Sequence, residues 1–442
     1  MSTTRLTVFL IPMLFISCDL QKDSSEIAFD TETEADQNTA IDQTTRFNSW
    51  LDAQWEEQLG FSPQTQTSLG LKSNYSKLDD YTSDARDAEI GWLRESVAEM
   101  ENEFSYQTLS DEGKLSWDMW KNSLTVAEEG IPFRNHQYLF GRGGIHARLP
   151  NFLINLHSVE TLEDMEAYIA RLKEIDRVLN EVLLKAQQNA NEGKRPPGFA
   201  YDFAIAEIDR IIEGAPFNAT DTSPNSPLWL DTREKIDSLE ANGLIDPEAA
   251  ERLESDAREV LTAEVLQAYQ AVKVWLMADK NNADSEPRGV WALPDGDAYY
   301  NYRLSLMTTL DLSADEIHDI GLEEVARLRS EMEALKERMG FQGTLQDLFT
   351  FVREDSNNYY DATDEGRQSY LDDNYSYLNI INEKLPLYFG RLPKASLEIR
   401  RVESFREQDG AAQHYRPGTP DGSRPGVYYS NKTDKSSLQT HQ

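Results

Sequence analysis

Imidazole, carboxylate and thiol side chains carry most hydrolytic and metal chemistry, and the chain's six histidines are His136, His146, His157, His318, His414 and His441. The first three fall in "NHQYLFGRGGIHARLPNFLINLHSV", at spacings that fit neither one helical face nor a metal-ligand pattern. Isolated histidines of this kind read as polar surface or loop residues. His318 lies in "ADEIHDIGLEEV", preceded by Asp315 and followed by Asp319. A helix would put His318 and Asp315 on one face, and a solvated charged helix accounts for them equally well. Self-contained catalytic motifs are missing: there is no G-x-S-x-G elbow, P-loop, G-x-G-x-x-G, cysteine pair or H-E-x-x-H. "GRGGIHARLP" is rich in glycine, but no strand precedes it and no helix is expected to open at once, which argues against a phosphate cradle.

Two further stretches carry usable side chains. "WALPDGDAYYNYRLSLMTTL" sets Tyr299, Tyr300, Tyr302 and Arg303 just after a Pro-Asp-Gly turn, at the start of a helix. Tyrosine and arginine together suit the wall of a polar cleft, and aromatic packing between helices is the commoner use of such residues. The single cysteine, Cys18, follows Arg5, an apolar stretch from Leu6 to Ile16, and Ser17. That order resembles a bacterial lipobox, in which the thiol is diacylated and becomes the mature N-terminus. Phe15 stands where leucine is usual, and an ordinary signal peptide with an incidental cysteine is the alternative. Acyl chains on Cys18 would hold a soluble domain at a membrane and leave the mature protein without a free thiol.

The elements that must position these residues are mainly helical. The 442 residues include 39% hydrophobic and 10% aromatic side chains, enough for a sizeable core. Lys and Arg number 43 against 78 Asp and Glu, a net charge of -35 that repels nucleic acid and excludes it as a partner. Residues 1–18 read as a lipoprotein signal peptide, and 19–45 are polar, acidic and nearly free of aromatics, hence a disordered tether. From residue 46 to 442 helical periodicity dominates. Ile90, Leu93, Val97 and Met100 form one stripe, and Trp117, Trp120 and Leu124 another that stops at Gly130. "TLEDMEAYIARLKEIDRVLNEVLLKAQQNANEG" predicts one long helix or two, and "DPEAAERLESDAREVLTAEVLQAYQAVKVWLMADK" another. Ser313 and Glu316 form a capping box for a helix that closes at Gly340. Strand character is confined to the last fifty or so residues, in "ASLEIRRVES" and in "RPGVYYSN" after the turn "GTPDGS".

"YIARL", "GVWALPDGDAYYNYRL", "LSADEIHDIGLEEVARLRSEM" and "YRPGTPDGSRPGVYYSN" in this order resemble the bacterial family catalogued as domain of unknown function 885. The resemblance implies a large helical, zincin-like body with a small β element near the C-terminus, often a lipoprotein of the cell envelope. It also implies a zinc metallopeptidase of gluzincin type, with the signature H-E-x-x-P-G-H-H. In related H-E-x-x-H enzymes two histidines bind zinc and the glutamate activates its water. The family's signature follows the segment matching "RPGVYYSN", and the sequence here reads as stopping roughly two or three helical turns short of it. Thr440-His441-Gln442 is too close to Asn431 to supply it. No zinc ligand and no general base therefore carry over, and zinc is expected only for the complete family domain. Two weaker assignments remain. Gly426, Val427, Tyr428, Tyr429 and Ser430 stand where a substrate-edge strand would run, pairing with an extended peptide. Tyr299, Tyr300 and Arg303 would line the same cleft. The expectation is a lipid-anchored protein facing the periplasm or cell surface, metallopeptidase-like but inactive as it stands; a non-catalytic peptide- or partner-binding lipoprotein is the alternative.

Overall fold

The computed structural model describes residues 34–218, 225–284, 286, 288–355, 359–361, 363–402 and 413–430, with side chains from Asp42 onward. The chain forms two compact units, residues 1–302 and 303–442, and the boundary falls within one helix, α11. Helices make up nearly all the regular structure, and the described strands form a single three-stranded sheet in the second unit. The fold is mainly α, as the periodicity predicts.

Unit one is built on two apolar cores. The smaller joins α1 (Glu34–Leu59), α3 (Ser83–Glu103) and α4 (Asp111–Glu129) through Phe47, Val97, Met100, Trp117 and Trp120, with the short α2 (Pro63–Ser68) between α1 and α3 in the chain. Here the structure moves a boundary. The tether expected to run to Thr45 gives way to helix at Glu34, and Thr44 is already buried, its hydroxyl accepting from Ser110 N at 2.9 Å. Low hydrophobicity is a poor guide here, because Thr44 is buried through a hydrogen bond to the start of α4 rather than through an apolar side chain.

The larger core is centred on α6 (Leu162–Asn191), a single helix. Thr161 and Asp164 close a reciprocal capping box at its start, and Gly193 adopts φ 80° just past its end, where only glycine is unstrained. Met165, Tyr168, Leu172, Ile175 and Leu179 recur at steps of three and four and are fully buried. Around α6 pack α5 (Ile145–Leu156), α8 (Pro227–Ala241), α9 (Pro247–Val260) and α10 (Leu266–Asp279), and α7 (Gly198–Ile211) packs on α5 and α10. One π turn, Leu261–Val265, joins α9 and α10 into the continuous run predicted from sequence. α5 corrects an expectation: it opens at Ile145 directly after the Gly141–Gly144 loop, and Pro150 lies inside it.

Unit two contains the end of α11 (Gly296–Thr308), then α12 (Ala314–Arg338), α13 (Leu345–Glu354) and α14 (Asp364–Tyr388). Ser313 and Glu316 cap α12 as the sequence predicts, and Gly340 closes it at φ 67°. The sheet follows, with β1 (Leu397–Arg401), β2 (His414–Arg416) and β3 (Gly426–Ser430) in the order β1-β3-β2. β1 runs parallel to β3 and β2 antiparallel to it.

Candidate functional site

The strand expected to receive an extended peptide lies at the centre of the sheet. β3 pairs with β1 from Gly426 to Ser430 and with β2 from Val427 to Tyr429. Its backbone is therefore engaged on both sides, and the edge-strand assignment of Gly426, Val427, Tyr428, Tyr429 and Ser430 is corrected. An added strand needs unpaired N–H and C=O groups, which an interior strand lacks. Val427 and Tyr429 are instead buried with Val402. His414 stacks on Tyr429 at 5.0 Å, and the Tyr428 hydroxyl donates to Gln413 Oε1, whose amide donates in turn to the Tyr370 hydroxyl at 2.8 Å. The preceding turn is fixed by Asp421, whose carboxyl is pulled down to about 2 by hydrogen bonds from Thr419 and Ser423.

β1 is one of the two outer strands among the described residues, and its edge is guarded. Ser396 O and Val402 N bond to β3, so the intervening odd-numbered residues turn their polar groups the other way. At Ile399 the Tyr375 hydroxyl of α14 takes both of them, accepting from N at 3.1 Å and donating to O at 3.0 Å.

Two of the three tyrosines of α11 are packed against other rings. Tyr299 stacks on His136 at 4.9 Å, and Tyr302 stacks on Phe133 at 5.0 Å. His136 is buried and its Nε2 donates to Pro294 O at 2.7 Å, which ties the turn before α11 to the segment after α4. Tyr300 is exposed. Arg303, at the start of unit two, is half-buried and its guanidinium lies 3.9 Å from Met307 Sδ on the next turn.

Sequence reasoning placed His136, His146 and His157 on the surface or in loops; all three are buried. Each is held by a partner in another segment of the chain. His146 Nε2 lies 2.9 Å from Glu207 Oε2, and the same carboxylate accepts from Gly143 N at 3.2 Å. The glycine loop thus binds a carboxylate of its own chain, which leaves no role for a phosphate there. His157 accepts at Nδ1 from Arg171 at 2.9 Å and donates from Nε2 to Asp164 O at 3.0 Å. Arg171 is fully buried and spends its other donors on Lys77 O, Thr67 Oγ1 and Pro63 O. Burial, with the neighbouring guanidinium, pushes the His157 imidazole down to about 3, and burial alone pushes Arg171 down to about 10.

None of these groups fits zinc. Among the described residues no three His, Cys, Asp or Glu side chains come together, and His146 and His157 each have one neighbouring carboxylate or guanidinium and no second imidazole. Cys18 and His441 lie outside the described residues.

Fold and site together define a mainly helical protein whose buried histidines are held by hydrogen bonds from other segments of the chain. A profile of the family described as "Bacterial protein of unknown function (DUF885)" matches residues 63–442. The chain belongs to this family, as its sequence motifs suggest. Two solved structures share the fold. A candidate lipoprotein from Colwellia psychrerythraea aligns with a TM-score of 0.73 at 21% identity, over 91% of this chain and 68% of that one. A candidate lipoprotein of unknown function from Shewanella oneidensis aligns with a TM-score of 0.53 at 14% identity, over 88% of this chain and 65% of its own. No curated protein sequence matches the chain.

Proposed function

We propose that the protein is a lipid-anchored protein of the bacterial cell envelope, tethered through Cys18 and facing the periplasm or cell surface. The observation that carries this reading is the N-terminal order of Arg5, the apolar run Leu6–Ile16, Ser17 and Cys18. The lipoprotein descriptions of the Colwellia and Shewanella neighbours support it. No helix among the described residues is long and apolar enough to cross a membrane, so attachment through lipid would be the anchor. Labelled palmitate should enter the wild-type protein in a bacterial host and be lost in Cys18→Ala. Equal labelling of the two would refute the anchor.

By family resemblance the associated chemistry is metal-assisted peptide hydrolysis, but the signature that would hold the metal is not among these 442 residues. The chain carrying Cys18→Ser should purify without stoichiometric zinc and without chelator-sensitive peptidase activity. Finding both would overturn that assignment. A second reading, non-catalytic binding of polypeptide, is favoured by the guarded outer edge of β1. It predicts peptide capture by the same metal-free preparation, strengthened in Tyr375→Phe.

A further inference from the structure

α12 is a well-capped helix of 25 residues with not one buried side chain. A helix of this length is stabilised by covering its apolar face, and α12 has a continuous one. Ile317, Gly321, Val325, Leu328, Met332, Leu335 and Met339 follow at steps of four, four, three, four, three and four. The last five are 41–65% exposed. Gly321 faces open space, so another backbone can approach there closely. From Val325 onward the steps alternate as in the seam of a coiled coil, with Val325, Met332 and Met339 in one row and Leu328 and Leu335 in the other.

The residues flanking this seam point to the occupant. Glu324 and Glu331 lie on one side, Arg329 and Lys336 on the other. Each acidic residue precedes its basic counterpart by five positions, the offset that faces each other across a parallel two-stranded coil. An antiparallel copy would instead bring Arg329 against Lys336. Within one chain Arg327 holds Glu324 and Glu331, and Lys336 holds Glu333 at 2.6 Å. The Arg327 pairs are exposed and weak, and Lys336, whose side chain is 15% exposed, has to turn away from Glu333 to meet a partner.

We propose that α12 is a self-association surface, on which a second copy of this chain pairs its own α12 in parallel, with Glu324 facing the partner's Arg329 and Glu331 the partner's Lys336. The seam from Val325 to Met339 spans about two heptads, so the association is modest and depends on concentration. Anchoring two copies on one membrane would raise their effective concentration and favour it.

The test uses the whole chain carrying Cys18→Ser, which removes the only native thiol. Sedimentation should show a dimer that forms with rising concentration and is lost in Leu328→Glu/Leu335→Glu, while far-UV dichroism stays unchanged. Leu328→Cys should give a disulfide-linked dimer on mild oxidation, because the two rows meet themselves only in a parallel pair. Glu324→Lys/Glu331→Lys and Arg329→Glu/Lys336→Glu should each be monomeric alone and dimeric when mixed. A wild-type monomer at every concentration would overturn the proposal. A dimer indifferent to the Leu328 and Leu335 changes would overturn it equally.

Discussion

At the scale of single residues, the buried imidazole of His157 makes stability depend on pH. Its ordinary pKa is near 6.5 and burial holds the folded value at about 3. Between those values the unfolded chain binds a proton that the folded chain refuses. Stability is therefore complete above pH 6.5 and falls as pH drops, until about pH 3. Between pH 7 and pH 5 the loss is about 2 kcal/mol, at about 1.4 kcal/mol per pH unit below 6.5. Urea unfolding followed by tryptophan fluorescence should show it, and His157→Gln should be less stable at pH 7 yet flatter across this range. An unchanged slope in the variant would refute the assignment. Arg171 is the hub of the same network, and Arg171→Met would strand Lys77 O, Thr67 Oγ1 and His157 Nδ1 without donors. We expect a loss of about 3 kcal/mol, measured by the same unfolding curves. None of this was legible in the sequence. His146 meets Glu207 and His157 meets Arg171 only because helices cross, and no local spacing encodes a crossing. Isolated histidines were therefore read as surface, and the fold buries them.

At the scale of elements, legibility followed locality. α6 and α12 were readable because capping boxes and apolar stripes are written within a few residues of each other. α5 was not, because Pro150 and the preceding glycines are breakers that tertiary packing overrides. β3 was recognised as a strand, but its place between β1 and β2 depends on partners far along the chain, so its interior position was missed. Two changes probe elements directly. Gly91 lies in the middle of α3, and a Cβ there would meet nothing within 4 Å. Gly91→Ala should raise the stability of unit one by roughly 0.5–1 kcal/mol, chiefly by restricting the unfolded chain. At the sheet, Tyr375→Phe removes the hydroxyl that covers Ile399 on the outer edge of β1. Hydrogen exchange at the Ile399 amide should accelerate at least several-fold while amides in β3 keep their protection. Equal acceleration across the sheet would mean that Tyr375 supports the whole element rather than guarding its edge.

At the scale of the molecule, the two units differ in how much apolar surface they bury. Unit one has the core around α6 and the second one between α1, α3 and α4. Among the described residues of unit two the buried cluster is Val402, Val427 and Tyr429; Leu345, Leu348 and Ile399 are buried besides, and α12 contributes nothing buried. Burial of apolar surface is the main favourable term in folding, at about 25 cal/mol per Å², so unit two should be the weaker. The sequence provides a natural separation of signals. All eight tryptophans, from Trp50 to Trp291, lie in unit one, whereas far-UV dichroism reports helices of both. In urea the dichroism should begin to fall before the fluorescence changes, with a hydrophobic dye binding most strongly between the two transitions. The gap should narrow as protein concentration rises, because pairing through α12 would stabilise unit two by mass action and leave unit one untouched. Coincident transitions at every concentration would show that the second unit draws its stability from the first, and that the exposed seam of α12 costs the fold little.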